Sequence, residues 1–100
     1  MVSEKIVVAN PSGFHLRPAG IFCDTAMKYT SHIVFHYKGN GEANAKSVLS
    51  VLGACIRNGD EIEICCDGED EKEALKAMID LVKSGFGEKC KDYGRKRLQT

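Results

Sequence analysis

Apolar and polar residues alternate along residues 32–38 and 61–66, and residues 3–9 are rich in β-branched residues without a breaker. Apolar residues recur at helical spacing after residues 3–9 and again near the end of the chain, and a short, almost wholly apolar run follows Ser47. Alternation is typical of a half-buried strand, and a period near 3.6 is typical of an amphipathic helix. We predict strands over residues 3–9, 32–38, 42–44 and 61–66, and helices over residues 16–29, 48–52 and between Asp70 and Gly85. The order βαββαβα predicts an α+β open-faced sandwich, in which a four-stranded antiparallel sheet carries three helices on one face.

Small and polar residues mark the ends of the predicted helices. Ser47 is a favoured N-cap for the second helix, and Gly53 is a favoured residue for ending it. Asp70 and Glu73 have the spacing of a capping box at the start of the third helix, which Gly85 can end. The apolar stripe of this helix is predicted to be buried and consists of Leu75, Met78, Ile79 and Val82.

The chain has 100 residues, 43% of them hydrophobic, and its 14 basic residues balance its 14 acidic ones. This predicts a single globular domain, without the charged surface that nucleic acids or membranes attract. Residues 88–100 contain five basic and two acidic residues, so we expect a domain over residues 1–87 and a flexible basic tail after it. Neither a secretory signal pattern nor a membrane-spanning apolar run is present, which predicts a cytoplasmic protein without membrane insertion, as a monomer.

Five cysteines occur without any Cys-x-x-Cys spacing, which predicts reduced and mostly buried thiols. Cys90, in the polar tail, is the one expected to be exposed. His32 and His36 share one face of the second predicted strand, but four residues at ~3.3 Å each separate them by about 13 Å, too far to chelate one ion as a pair. We therefore expect surface histidines, no metal ligands and no cofactor.

Candidate chemistry is concentrated in the loop between the first strand and the first helix. Residues 11–13 are turn residues, and Pro18 is tolerated in a first helical turn because the N–H that it lacks has no partner there. His15 and Arg17 therefore lie at or just before a helix N-terminus, where free amides favour anions. Imidazole is a nucleophile near neutral pH, and guanidinium suits phosphate oxygens. On these grounds an anion site and an ordinary solvated loop both remain open.

Two motifs resemble those of the HPr family, the histidine-containing phosphocarriers of the bacterial sugar phosphotransferase system. Residues 13–19, Gly-Phe-His-Leu-Arg-Pro-Ala, are similar to the active-site motif of that family, and residues 44–49, Asn-Ala-Lys-Ser-Val-Leu, to its regulatory serine motif. The distance between the motifs and the order of elements also fit, and the resemblance covers roughly residues 2–87. Leu16 departs from the family, in which alanine is common after the active histidine.

The resemblance implies a phosphocarrier rather than an enzyme. His15 would accept a phosphoryl group on Nδ1 from phosphorylated enzyme I and pass it to enzyme II A domains. Arg17 would hold the phosphoryl oxygens, and Ser12 and Leu16, with the first-turn amides of the helix, would complete the phosphate-binding set.

The second motif implies regulation. Ser47 would be phosphorylated by an ATP-dependent HPr kinase/phosphorylase, which would link sugar flux to carbon catabolite control through a transcription factor. The apolar residues that follow it would form the docking surface for enzyme I, namely Val48, Leu49 and Leu52.

Three other functions remain open at this stage. The chain could be mainly a regulatory interaction module, whose signal is phosphorylated Ser47, or a nitrogen-branch carrier with the same histidine chemistry. A hydrolytic enzyme using His15 as base is the weakest alternative, because no second catalytic group accompanies the histidine in the motif.

Overall fold

The computed structural model describes residues 1–87, in which four strands and three α-helices follow one another in the predicted order. The strands are β1 (Val2–Val7), β2 (His32–Tyr37), β3 (Gly41–Asn44) and β4 (Glu61–Asp67). The helices are α1 (Leu16–Ala26), α2 (Val48–Gly53) and α3 (Glu71–Lys83), and a short 3₁₀ turn covers Gly85–Gly87. The tail expected at residues 88–100, with Cys90, lies outside the described residues.

The four strands form one antiparallel sheet in the order β1-β4-β2-β3. β4 is therefore central, and its Ile64 pairs with Glu4 of β1 on one side and with Phe35 of β2 on the other. The three helices cover one face of this sheet, so the predicted α+β open-faced sandwich is confirmed.

The core lies between the sheet and the helices. The alternation predicted for β2 and β4 is confirmed, because Ile33 and Phe35, like Ile62 and Ile64, are at most 1% exposed. The helices supply the matching apolar side chains, which are Ala19, Phe22, Ala26, Val51, Ala74, Met78, Ile79 and Val82. Leu75, predicted to belong to the buried stripe of α3, is only partly buried against this core.

The first helix is three residues shorter than predicted. α1 ends at Ala26. The Met27 amide still donates four residues back, to the Cys23 carbonyl, but the amides of Lys28 and Tyr29 donate to carbonyls only three residues back, at 3.1 and 3.2 Å. These tight bonds close the last turn and redirect the chain toward β2. Met27, predicted to extend the apolar face of the helix, is 66% exposed as a result.

Two turns differ from prediction in the residue that takes a positive φ. The chain leaves α2 through Cys55, with φ of 55°, rather than through Gly53, which is still helical. Cys55 is exposed and not a core cysteine. In the β2–β3 turn, Lys38 has left the strand and takes a φ of 43° beside Gly39.

The capping box predicted for α3 is wrong. Asp70 occupies the N-cap position, but its carboxylate makes no cap hydrogen bond. It accepts hydrogen bonds from the Thr30 amide at 2.9 Å, from the Ser31 amide at 3.0 Å and from the Ser31 hydroxyl. The carboxylate of Glu71, rather than that of Glu73, accepts the Gly68 amide at 3.1 Å. Contacts with the segment before β2 have thus replaced the local cap.

The longest helix in the described part of the chain, α3, has 13 residues. Among residues 1–87, none of the helices combines the length and the apolar character needed to cross a membrane.

Candidate functional site

The loop before α1 is held tightly against the segment that follows α2. Gly13 has a φ of +63°, and a Cβ there would lie 2.4 Å from the Ile56 carbonyl oxygen and 2.7 Å from the Arg57 Cα. The Phe14 amide donates to that same carbonyl at 3.0 Å, and the Asn10 side-chain amide donates to the Gly13 carbonyl at 2.8 Å. Glycine is required here both by its backbone conformation and by the close approach.

Phe14 anchors the loop in the core. Its ring contacts three other phenylalanine rings, with centroids 4.8 Å from Phe22, 5.5 Å from Phe35 and 5.5 Å from Phe86. Such tilted and edge-to-face contacts add about 0.5–1.5 kcal/mol per pair to the burial of the rings. Since Phe14 is the residue before His15, this packing fixes where the histidine leaves the core.

His15 is the N-cap residue of α1, with an extended backbone (φ −82°, ψ −173°) and an exposed side chain. Its carbonyl accepts the Ala19 amide at 2.8 Å, which closes the first helical bond. Leu16 and Arg17 fill first-turn positions whose amides have no partner within a helix, and Pro18 follows without an amide to satisfy. The imidazole thus lies at the positive end of the helix dipole, which favours negatively charged groups.

A shallow depression surrounds His15 on the side of α2. Its lining brings together residues that are far apart in the sequence, namely Ser12, Phe14, His15, Leu52, Cys55, Ile56 and Arg57. Of the predicted phosphate-binding residues, Ser12 shares this depression with His15. Arg17 and Leu16 do not line it and are exposed on the first turn of α1, Leu16 at 65%.

Arg57 and Cys55 are members of this depression that the sequence analysis missed. Arg57 is exposed and adds a second guanidinium beside the histidine loop. It lies there because Gly13 allows the two backbones to meet. In the sequence Gly13 indicated a turn, and no pattern indicated that another segment would approach it or which segment that would be.

Ser47 is the N-cap of α2, as predicted. Its hydroxyl oxygen accepts the Ser50 amide at 3.2 Å, and its side chain is half-buried. The neighbouring Lys46 points elsewhere, because its ammonium donates to the Tyr29 carbonyl at 2.7 Å. The Ser47 hydroxyl therefore lies at the start of α2, and the Lys46 ammonium is directed away from it.

The apolar residues of α2 divide between core and surface. Val51 is fully buried, whereas Leu49 is 83% exposed, Val48 is 37% exposed and Leu52 is half-buried. Leu52 also lines the depression at His15, so the exposed apolar surface of α2 continues to the histidine. We name Val48, Leu49 and Leu52 the α2 surface.

A group of possible metal ligands lies at another place in the described part of the chain. His36, Glu63 and Cys65 bring one ligand atom each to within 4.8 Å of one another. They belong to the residues of β2 and β4 that alternate with the core residues, so they lie on the face of the sheet that the helices leave open. The sequence analysis, which considered His36 only as a pair with His32, missed this group.

Comparisons with known proteins identify the family of this chain. Residues 2–84 match the PTS-HPr family model, described as the PTS HPr component phosphorylation site. The phosphocarrier protein HPr of Neisseria meningitidis serogroup A is 34% identical over 88 residues, which make up 88% of this chain and 98% of the relative. The HPr-like protein Crh of Bacillus subtilis is 35% identical over 82 residues, 82% of this chain and 95% of the relative. The solution structure of Crh, described as the Bacillus subtilis catabolite repression HPr, is 32% identical with a TM-score of 0.61 and covers 81% of this chain and 95% of its own.

A solved structure shares the fold as a whole. The crystal structure of HPr-C-His from Thermoanaerobacter tengcongensis superposes with a TM-score of 0.85 at 38% identity and covers 89% of this chain and 99% of its own. The sequence match extends over most of the chain, and the matched region contains the histidine loop, so this chain belongs to the HPr family of phosphocarrier proteins.

Proposed function

We propose that this chain accepts a phosphoryl group on His15 from phosphorylated enzyme I and passes it to enzyme II A domains. One observation carries the proposal: His15 presents an exposed imidazole at the N-cap of α1, held there by a buried Phe14. A phosphoryl group on that imidazole meets the free end of a helix, which is a favourable place for an anion.

The proposed step needs a nucleophile and no separate general base. The lone pair on Nδ1 of the neutral imidazole, the nitrogen used in the family, attacks phosphorus while the bond from phosphorus to the donor breaks. The donor keeps the electrons of that bond, and Nε2 of His15 keeps its proton. The same exchange with an enzyme II A acceptor returns His15 to its starting state.

The residues around His15 supply the electrostatic support for the transferred group. The amides of Leu16 and Arg17 are free within the helix, and the Arg17 guanidinium provides a planar set of donors one turn or less from the imidazole. Ser12 shares the depression with the histidine and can donate its hydroxyl. Because phosphoryl transfer depends mainly on positioning and charge, this set is sufficient for a carrier.

The proposed cycle also requires access for two partners in turn. His15 is exposed, and the α2 surface continues to it through Leu52. Exposed apolar side chains beside a reactive group are typical of a docking surface. We therefore assign the α2 surface to contacts with enzyme I.

The test is phosphorylation with enzyme I and phosphoenolpyruvate, followed by intact mass measurement before and after acid treatment. We expect one acid-labile phosphoryl group on the wild-type chain and none on His15→Ala. His32→Ala, which removes another exposed histidine, is the matched control and should be labelled like the wild type. Full acid-labile labelling of His15→Ala would refute the assignment.

We propose regulation through Ser47 as a second function. Its hydroxyl caps α2 at the edge of the exposed α2 surface, where a phosphate would meet the free amides of the helix start. The relative Crh, described as a catabolite repression HPr, supports a role of this kind. The expected partners are an HPr kinase/phosphorylase and a catabolite-control transcription factor.

Acid stability separates the two modifications. Incubation with an HPr kinase and ATP should add one acid-stable phosphate to the wild type and to His15→Ala, but none to Ser47→Ala. Ser50→Ala, three residues further along the same helix, is the control for a neighbouring hydroxyl. Acid-stable labelling that persists in Ser47→Ala would show that another residue is modified.

A further inference from the structure

Three possible metal ligands meet on the open face of the sheet. His36 of β2 lies directly opposite Glu63 of β4, and Cys65 follows two residues along β4 on the same face. Cys65 is 7% exposed, whereas His36 and Glu63 are half-buried. A soft sulfur, a borderline imidazole nitrogen and a hard carboxylate oxygen are thus combined at a site that is partly shielded from water but still accessible.

The distances suit a tetrahedral ion. Cys65 Sγ lies 3.6 Å from His36 Nδ1. Bonds of about 2.3 Å to sulfur and about 2.0 Å to nitrogen at a tetrahedral zinc place those two atoms about 3.5 Å apart. The Glu63 carboxylate completes a set whose ligand atoms all lie within 4.8 Å of one another, so a change in one flexible side chain closes the site.

A carboxylate lies near the other ring nitrogen of the histidine. This nitrogen, Nε2, lies 3.4 Å from an oxygen of Glu42 on β3. A carboxylate that accepts the second N–H of a histidine fixes its tautomer and leaves the opposite nitrogen free for a metal. Glu63 is likewise held, because its carboxylate accepts the Ser3 hydroxyl at 3.2 Å.

We propose that His36 Nδ1, Cys65 Sγ and the Glu63 carboxylate bind one divalent ion of the zinc class, with the fourth position open to water. The mixture of sulfur, nitrogen and oxygen favours zinc over calcium or magnesium, which prefer oxygen ligands alone. The thiol proton leaves to solvent as the metal–sulfur bond forms. One thiolate and one carboxylate then balance the two positive charges of the ion.

Such an ion would join the two strands at the middle of the sheet and, through Glu42, hold β3 as well. The site lies on the face of the sheet opposite to the helices, whereas His15 begins α1. Metal binding and phosphoryl transfer therefore use different residues, and one can be tested without the other.

The test is titration of untagged protein with zinc against a chromophoric chelator, and with cobalt by absorption spectroscopy. All versions carry Cys90→Ser, because that cysteine lies outside the described residues. We expect one ion per chain and, with cobalt, a thiolate-to-metal charge-transfer band. His36→Gln and Cys65→Ala should each weaken binding by more than about a hundredfold. Cys55→Ala and His32→Gln, which remove an exposed cysteine and histidine elsewhere, should bind like the parent.

A second variant tests the orienting carboxylate. Glu42→Gln keeps all three ligands and should weaken zinc binding by about ten- to a hundredfold. Thermal unfolding in chelator confirms that each variant folds, and His36→Gln, at a half-exposed position, provides the result if Cys65→Ala does not fold. Absence of one-to-one binding, or an affinity within about threefold of the parent in every folded ligand variant, overturns the proposal.

Discussion

The ring of Phe14 meets the ring of Phe86 edge to face, with centroids 5.5 Å apart and planes at 88°. Phe86 belongs to the 3₁₀ turn after α3, so the residue before His15 is packed against the far end of the described chain. The exposed histidine is therefore held in place by a buried neighbour. Phe14 contributes to the stability of the fold, and the next residue, His15, carries the proposed phosphoryl transfer.

Replacing Phe14 or His15 with alanine should affect stability to very different extents. Phe14→Ala should lower the free energy of unfolding by about 3–5 kcal/mol, because it leaves a cavity among three aromatic rings. His15→Ala should change it by no more than about 0.5 kcal/mol, since the side chain is exposed. Chemical denaturation of both variants is the measurement. A similar loss in the two variants would contradict the anchoring role of Phe14.

Two glycines near the site should respond differently to a methyl group. Gly13→Ala should destabilise the chain by at least about 2 kcal/mol, because the added Cβ would meet the Ile56 carbonyl and the φ is positive. Gly20→Ala should stabilise it by about 0.5–1 kcal/mol, because Gly20 is helical and no atom lies within 4 Å of the added Cβ. The measurement is the melting temperature of each variant. A Gly13→Ala variant as stable as the wild type would show that the loop can be displaced with little loss of free energy.

Arg17 should contribute to the rate of phosphoryl transfer through both the charge and the planar shape of its guanidinium. Arg17→Ala should slow transfer from enzyme I by roughly ten- to a hundredfold, the equivalent of about 1.5–3 kcal/mol for hydrogen bonds to a charged group. Arg17→Lys should lose less, because it keeps the charge without the planar fork. Rapid-mixing transfer rates are the measurement, with the exposed Lys28→Ala as a control for the loss of one cation. Near-native rates in both Arg17 variants would exclude the residue from the reaction.

A negative charge at Ser47 should weaken docking of enzyme I. Ser47→Asp should raise the apparent KM for this chain by up to about fivefold at low salt, since exposed charges contribute about 0.2–1 kcal/mol, and the effect should fade as salt rises. Ser47→Ala, which only loses the cap on the Ser50 amide, is the control. Equal KM values for the two variants at low salt would show that charge at this position does not reach the docking surface.

Asp70 should give the fold a dependence on acid. The Ser31 hydroxyl, the Thr30 amide and the Ser31 amide hold the pKa of Asp70 below its usual value. The stability that this carboxylate contributes is therefore complete above about pH 4, the unfolded pKa, and is lost as the pH falls through the lower folded pKa. Between neutral and acid pH, the free energy of unfolding should fall less steeply for Asp70→Asn than for the wild type. Asp24→Asn, on α1, is the control for removing one carboxyl, and an unchanged slope in Asp70→Asn would exclude this contribution.

The sequence predicted those parts of the fold that depend on local pattern. Alternation located β2 and β4, β-branched residues located β1, and a glycine-rich turn located β3. The turn residues and the proline around His15 located the start of α1, because all of these signals are properties of consecutive residues. The capping box at Asp70 failed for a different reason. Its carboxylate accepts hydrogen bonds from Thr30 and Ser31. A tertiary contact of this kind cannot be predicted from the residues that follow the N-cap.

The parts that could not be predicted depend on which strands and loops are neighbours. Cys65 and His36 meet only because β4 lies beside β2, and the order of the elements alone does not specify this. Arg57 reaches the histidine loop through a backbone contact at Gly13, which the sequence indicated only as a turn residue. Periodicity identifies the face on which a residue lies but not the partner that it meets there.

The central position of β4 has a consequence for synthesis of the chain on the ribosome. β4 is the last strand to be synthesised, and it is the only strand that pairs with β1 in the described sheet. Val2 of β1 therefore has no strand partner until Cys66 has been added to the chain. Until then only the β2–β3 hairpin can pair locally, and an isolated hairpin is barely stable in water. A nascent chain that still lacks β4 thus exposes unpaired strand edges, which chaperones bind and which aggregate readily. The four-stranded sheet can be completed only after β4 has been synthesised.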